Sequence, residues 1–266
     1  MSGAGVSSGS SGDPYGLNGV GVLVTGASSG FGAHFATILA RQGATVAVAA
    51  RRPDRLSQLV ETIGAAGGAA AAVTIDVQDE ASIIAGFDAA EAALGPIDVV
   101  INNAGMNARG LATDIAAADF DQVMAVNVRG VFLCAREGAR RMIARGSRDR
   151  GRGRVINIAS IGAHTVLPGL TAYCTSKAAV AMMTKSLARE WARQGISVNA
   201  LCPGYVETEI NAGWLQEEGG RRMVQGFPRR RLMEASAMDN TILFLAGAHS
   251  AATTGAVITI DDGQSL

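Results

Sequence analysis

The chain runs to 266 residues, 48% of them hydrophobic, with 23 lysines and arginines balanced by 23 aspartates and glutamates. Zero formal charge leaves no global field to draw nucleic acid or an anionic membrane toward it, and no apolar run approaches the roughly 20 residues of a bilayer-spanning helix. Three widely separated cysteines, Cys134, Cys174 and Cys202, offer neither a disulfide framework nor metal-ligand spacing, so no metal is expected. Without a basic-then-apolar leader at the start, the expected location is the cytoplasm.

Residues 1–16 are Ser/Gly-rich and too poor in apolar groups to build a core, which predicts a flexible tail before a single folded unit over 17–266. A strand-length apolar run over 19–24 leads directly into Thr25-Gly26-Ala27-Ser28-Ser29-Gly30-Phe31-Gly32 and then a helical stretch over 33–42. Strand, glycine turn and helix in that order suit a phosphate. Glycine lets backbone approach the ligand closely, and the new helix offers free N–H groups and a positive dipole end. The spacing is G-x-x-x-G-x-G, not the commoner G-x-G-x-x-G dinucleotide pattern. Further strands are predicted at 45–50, 71–76, 97–102, 154–159, 197–201 and 256–260, separated by helical stretches such as 55–66, 80–93 and 120–145. This alternation predicts an α/β fold, a doubly wound parallel sheet of about seven strands with helices on both faces.

Ser160 closes the strand at 154–159, and thirteen residues later Tyr173 and Lys177 stand four apart in Tyr173-Cys174-Thr175-Ser176-Lys177. An i, i+4 pair shares one helix face, so an ammonium can lie beside the phenol. Only two lysines occur in the chain, Lys177 and Lys185, so a lysine at this place is not mere composition. Bringing a phenol from about 10 to two or three units lower needs roughly 3–4 kcal/mol, and one cation about 4–5 Å away at an effective dielectric of about 20 supplies roughly that much. Ser160 would then hydrogen-bond a carbonyl oxygen gaining negative charge while Tyr173 gives it a proton.

Taken in order, Thr25-Gly26-x-x-x-Gly30-x-Gly32, Asn102-Asn103-Ala104-Gly105, Ser160, Tyr173-x-x-x-Lys177 and Pro203-Gly204 resemble the short-chain dehydrogenase/reductase family, from about Leu17 to Leu266. The resemblance implies a Rossmann-type domain, a nicotinamide cofactor, a Ser-Tyr-Lys centre and a homotetramer or homodimer. It implies that Asn127 is a fourth catalytic position, holding a water on the proton path to the lysine. It places Ser28, Ser29 and Phe31 in the cofactor turn, Asp76 and Val77 beside the adenine, and Asn103, Ala104 and Gly105 along the adenosine ribose. Pro203, Gly204, Val206 and Thr208 belong to the loop that holds the nicotinamide carboxamide. Phe31 is a departure, since the family usually has a smaller aliphatic residue there.

About twenty residues past the glycine turn, an acid would hold the ribose 2′-hydroxyl of NAD, whereas arginine pairs with the extra phosphate of NADP. Ala50 fills the acid's slot and Arg51-Arg52 follow, so NADP(H) is the expected cofactor, with Arg51 as main clamp. Expected pocket walls are Met106, Asn107, Ile161, Ala163, His164, Val166 and Leu167, with Tyr205, Ile210, Trp214, Met223 and Phe227 from the later segment. This mainly apolar set suits a hydrophobic ketone or secondary alcohol, with a 3-oxoacyl thioester as the alternative. Two rivals differ in class. Arg140, Arg141, Arg145, Arg148, Arg150, Arg152 and Arg154 crowd one stretch and invite a nucleic-acid patch, but no aromatics are interleaved for base stacking. A non-catalytic NADP sensor would keep the glycine turn and have no use for Ser160, Tyr173 and Lys177.

Overall fold

The computed structural model describes residues 12–209 and 211–266. In chain order the elements are β1 (Gly21–Thr25), α1 (Gly30–Arg41), β2 (Thr45–Ala50), α2 (Pro53–Ala65), β3 (Ala69–Thr74), α3 (Glu80–Leu94), β4 (Ile97–Asn102), α4 (Ala117–Met124), a π-helical segment (Ala125–Gly130), α5 (Val131–Ala144), α6 (Ser147–Arg150) and β5 (Gly153–Ile158). After these come α7 (Thr171–Trp191), β6 (Ile196–Pro203), α8 (Ala212–Leu215), α9 (Glu218–Gly226), α10 (Asp239–Ala246) and β7 (Val257–Ile260). The seven strands form one sheet in the order β3-β2-β1-β4-β5-β6-β7, every pairing parallel. The order reverses between β1 and β4, and at such a switch point the loops leaving adjacent strand ends part to open a cleft.

The central strands are continuous apolar runs because both sheet faces are covered. β1, β4, β5 and β6 are buried along their whole lengths. One core gathers Val22, Val24, Phe35, Leu39, Val46 and Leu245 on one face; the other gathers Leu23, Phe87, Ile97, Val100, Leu133 and Val155. Within the buried sheet a polar relay crosses strands: Asn102 donates to Asn157 (2.9 Å), Asn157 donates to Thr184 on α7 (2.9 Å), and Thr184 donates to the Val180 carbonyl. It ties β4 and β5 to the helix that carries Tyr173.

Three expectations need correction. Residues 1–11 of the expected tail lie outside the described residues, but 12–16 already belong to the folded body: Asp13 accepts from the Leu17 and Asn18 N–H groups, and Tyr15 donates to Asn240 (2.7 Å) while its carbonyl receives Ala248 N–H. Here turn chemistry, not apolar content, orders the chain. β3 begins at Ala69, two residues before the expected start, because alanine distinguishes helix from strand poorly and pairing with β2 decides the register. The helix expected over 120–145 is interrupted by the π-helical turn Ala125–Gly130, which no 3.6-residue periodicity reveals.

The arginine cluster is largely internal scaffolding. Arg141 pairs with Asp88, Glu91 and Glu137, Arg145 with Glu91, and Arg150 with Asp98 (2.9 Å). Arg154 is buried against Ser250 and backbone carbonyls. Within the same stretch the short helix α6 has its Ser147 buried and donating to the Gln194 carbonyl (2.6 Å). Among the described residues, no helix is long and apolar enough to cross a membrane.

Candidate active site

A cleft of about 620 Å³ opens at the carboxyl ends of the central strands. It is lined by Gly26, Ser28, Ser29, Gly30, Phe31, Arg51, Arg52, Asp76, Val77, Asn103, Ala104, Gly105, Ser160, Tyr173, Lys177, Pro203, Gly204, Val206 and Thr208. Of the expected site residues, only Gly32 and Asn127 stand behind its surface.

At the β1 end the surface is made by glycines, each required for its own reason. Gly26 (φ +66°) and Gly30 (φ +54°) are left-handed, a region that disfavours side chains. Gly32 is not, but a Cβ there would sit 2.4 Å from the Gly26 carbonyl oxygen. Asn103 secures the turn from β4, donating its amide to the Thr25 and Gly26 carbonyls (3.0 and 3.2 Å), while Thr25 Oγ1 accepts from the Asn103 and Ala104 N–H groups. Ser29 caps α1 in extended conformation without a side-chain cap hydrogen bond, and no acid occupies the helix's first turn. Its leading N–H groups are therefore free for an anion. β2 delivers Arg51 and Arg52 to the rim. Arg52 donates to Ser28 Oγ (2.8 Å) and Ser29 Oγ (3.2 Å) and lies 3.6 Å from Glu209, which also pairs with Arg55 (2.8 Å). Arg51 enters no ion pair among the described residues and is exposed. Asp76 Oδ1 accepts from the Gln78 N–H (3.0 Å). Glycine turn, uncapped helix start and two rim arginines fit a dinucleotide carrying an extra phosphate.

At the other end, β5 runs into Ser160, whose hydroxyl accepts from the Gly162 N–H (3.1 Å) and which lines the cleft together with Tyr173. Lys177, 4% exposed, donates to the Ile158 carbonyl (2.8 Å), with its nitrogen 5.5 Å from the Tyr173 ring centre. Burial pushes the Tyr173 phenol up to about 12, the Ser160 hydrogen bond opposing it, and pushes Lys177 down to about 8. Desolvation is the largest influence on the phenol here. The same burial that penalises the phenolate also weakens the cation meant to stabilise it.

Asn127 is fully buried in the π-helical turn. Its amide oxygen accepts from Met106 N–H (2.9 Å), and its NH₂ donates to the Met106 carbonyl (2.9 Å) and Ser176 Oγ (3.0 Å). Ser176 in turn donates to the Tyr173 carbonyl (2.7 Å). The side chain thus locks the segment after β4 onto α7. The loop after β6 is closed by Asn211, which accepts from Thr208 N–H and Oγ1 and donates to the Val206 carbonyl (2.8, 3.2 and 2.9 Å). Gln264 pins the start of that loop, accepting from the Tyr205 N–H (2.5 Å).

Of the expected pocket walls, Met106, Asn107, Ile161, Leu167 and Tyr205 line the cleft. Ala163 and His164 do not, and Val166 points to solvent, 85% exposed. Trp214 and Phe227 flank Tyr205 from behind, with ring centres 6.4 and 5.8 Å away, and Met223 is also absent from the lining. Ile210 lies outside the described residues. Sequence reading missed Arg109, Gln122, Glu209 and Asn211, all cleft-lining. None of the four carries a local signal that places it in the cleft. Cys174 meets Gly162 as a packing residue.

The sequence and the fold are matched in known proteins. The short chain dehydrogenase family profile matches residues 21–219. Gluconate 5-dehydrogenase of Gluconobacter oxydans is 35% identical over 255 residues, covering 96% of this chain and 98% of that one. The 2-(R)-hydroxypropyl-CoM dehydrogenase of Xanthobacter autotrophicus is 36% identical over 244 residues, covering 90% and 96%. A crystal structure of a gluconate 5-dehydrogenase from Burkholderia cenocepacia, in complex with NADP and tartrate, superposes with a TM-score of 0.88 at 34% identity, covering 95% and 97%. The chain belongs to the short-chain dehydrogenase family.

Proposed function

We propose that this protein moves a hydride reversibly between NADP(H) and the carbon of a ketone or secondary alcohol. The observation that carries the reading is the convergence of Ser160, Tyr173 and Lys177 on the same cleft as the glycine turn and the two rim arginines. The hydride comes from, or returns to, the nicotinamide of the bound cofactor. Tyr173 gives the carbonyl oxygen its proton in reduction and takes it back in oxidation. Ser160 donates a hydrogen bond to that oxygen, where negative charge develops. Lys177 lies below the phenol and, when protonated, favours its ionised form. Asn127 keeps Met106 and Ser176 in place so that these groups hold their relative positions, with the proton relay beyond Lys177 passing near it.

The choice of NADP(H) is supported by Ala50 in place of an acid, by Arg51, which enters no ion pair among the described residues, and by the NADP held in the Burkholderia relative. The polar residues Asn107 and Gln122 among Met106, Leu167 and Leu170 favour a substrate of mixed character over a purely hydrophobic one, as do the polyol-acid names of the relatives. The test is cofactor consumption with a panel of polyol acids, simple ketones, beta-ketoesters and 3-oxoacyl thioesters, offered with NADPH and NADH separately. Turnover with a higher kcat/KM for NADPH is expected. NADPH binding without oxidation by any carbonyl would make the protein a sensor instead.

A further inference from the structure

We propose that Arg109 anchors an anionic group of the substrate, so that the carbonyl compound or alcohol handled in this cleft carries a carboxylate or a comparable anion. This rests on the oxidoreductase reading above.

Arg109 lines the same cleft as Ser160 and Tyr173. Its guanidinium carbon lies 4.0 Å from the centre of the Trp214 ring, and none of the ion pairs among the described residues includes it. A guanidinium stacked on an aromatic face is oriented, yet the N–H donors at its edge remain free, which is the geometry a planar carboxylate accepts in bidentate fashion. Trp214 is itself braced by Tyr205, and Tyr205 by Phe227. Prior orientation reduces the entropy that binding would otherwise lose.

The charge pattern of the cleft agrees. Its two acidic lining residues sit at the cofactor end and are engaged, Asp76 with Gln78 N–H and Glu209 with Arg52 and Arg55. Around Tyr205 the lining holds Arg109 and no acid. Arg109 is close enough to Tyr205 to oppose the upward push of burial on that phenol, and Tyr205 in turn is close enough to Tyr173 to influence it. Arg109, Tyr205 and Tyr173 line one cleft, so the substrate proposed is a small oxo-acid whose carbonyl faces Tyr173 while its anion meets the guanidinium. Trp214 and Phe227 serve to hold Arg109 and Tyr205 in place, which explains why they look like a hydrophobic pocket in sequence and yet do not line the cleft.

The test compares the parent with Arg109→Met, which keeps the stem's packing and removes the charge, on matched pairs such as acetoacetate and methyl acetoacetate or 4-oxopentanoate and its methyl ester. Loss of a charged hydrogen-bonded contact should reduce kcat/KM for the acids by about 10- to 100-fold, chiefly through KM, with at least a tenfold smaller change for the esters. A second readout needs no turnover: titration of NADPH-loaded protein with the non-reducible malate, followed by Trp fluorescence, with Trp214→Phe as control. Malate should bind the parent and bind Arg109→Met at least tenfold more weakly. Equal losses for acid and ester, acids unaffected, or malate bound equally by both proteins would overturn the proposal. Should no ketone be reduced at all while malate binding still depends on Arg109, the anion site stands and the oxidoreductase reading falls.

Discussion

At the β1–β2 end of the cleft the working surface is backbone, held open where a Cβ would collide; at the β5–α7 end it is side chains, held by buried hydrogen bonds. Gly32 cannot gain a methyl group without meeting the Gly26 carbonyl at 2.4 Å, and Asn103 clamps the same turn from the neighbouring strand. The opposite end depends on Ser160, Tyr173 and Lys177, placed by Asn127, Ser176 and the relay from Asn102 through Asn157 to Thr184. On the reading proposed above, one end recognises a ligand whose phosphates are always the same, through backbone N–H groups and the rim arginines. On the same reading the other changes its charge during the reaction, which only titratable side chains can do. The division implies that substitutions at the second end cost turnover while cofactor binding survives.

Ser160→Ala puts that implication to a strong test. Removing one donor aimed at a developing oxyanion should lower kcat by roughly 10²–10³-fold, while the NADPH dissociation constant, measured by cofactor fluorescence, should move by no more than a few-fold. If NADPH binding fell in parallel with kcat, the two ends would not be separable and the comparison would break.

A smaller effect sharpens the electrostatics. Lys177 is held at about 8 in the fold against 10.5 for the free side chain, so its contribution to stability is complete above 10.5 and is lost as pH falls through about 8. Tyr173, at about 12 against 10.0, acts in the opposite sense: its contribution is complete below 10 and is lost as pH rises through about 12. Urea midpoints of the cofactor-free protein should therefore rise from pH 8 toward 10, and Lys177→Met should flatten that rise. A variant that keeps the full slope would assign it to some other group.

The two ends also differed in how much of them could be read from sequence. The glycine turn, Ser160, Tyr173 and Lys177 were legible because each obeys a local rule, of chain reversal or of helical spacing, and all of them reach the cleft except Gly32, which works by packing behind it. The parallel sheet was legible because β1, β4, β5 and β6 are covered on both faces and so are unbroken apolar runs. The π-helical turn that aims Asn127 at Met106 was not, since one extra residue per turn leaves no periodic mark over six residues. Nor was Arg109, whose place depends on a ring more than a hundred positions later in the chain. The balance between Lys177 and Tyr173 was not legible for a related reason: spacing gives their proximity, but not the desolvation that both of them suffer.

The most direct measurement is of Tyr173→Phe, which deletes one oxygen and leaves the ring. NADPH affinity by fluorescence titration and NADPH oxidation with the best carbonyl of the panel should be followed on the same preparation. Affinity within a few-fold of the parent together with a fall in kcat of at least 10²-fold is the result expected of a phenol that delivers the proton. Turnover within a few-fold of the parent would contradict it.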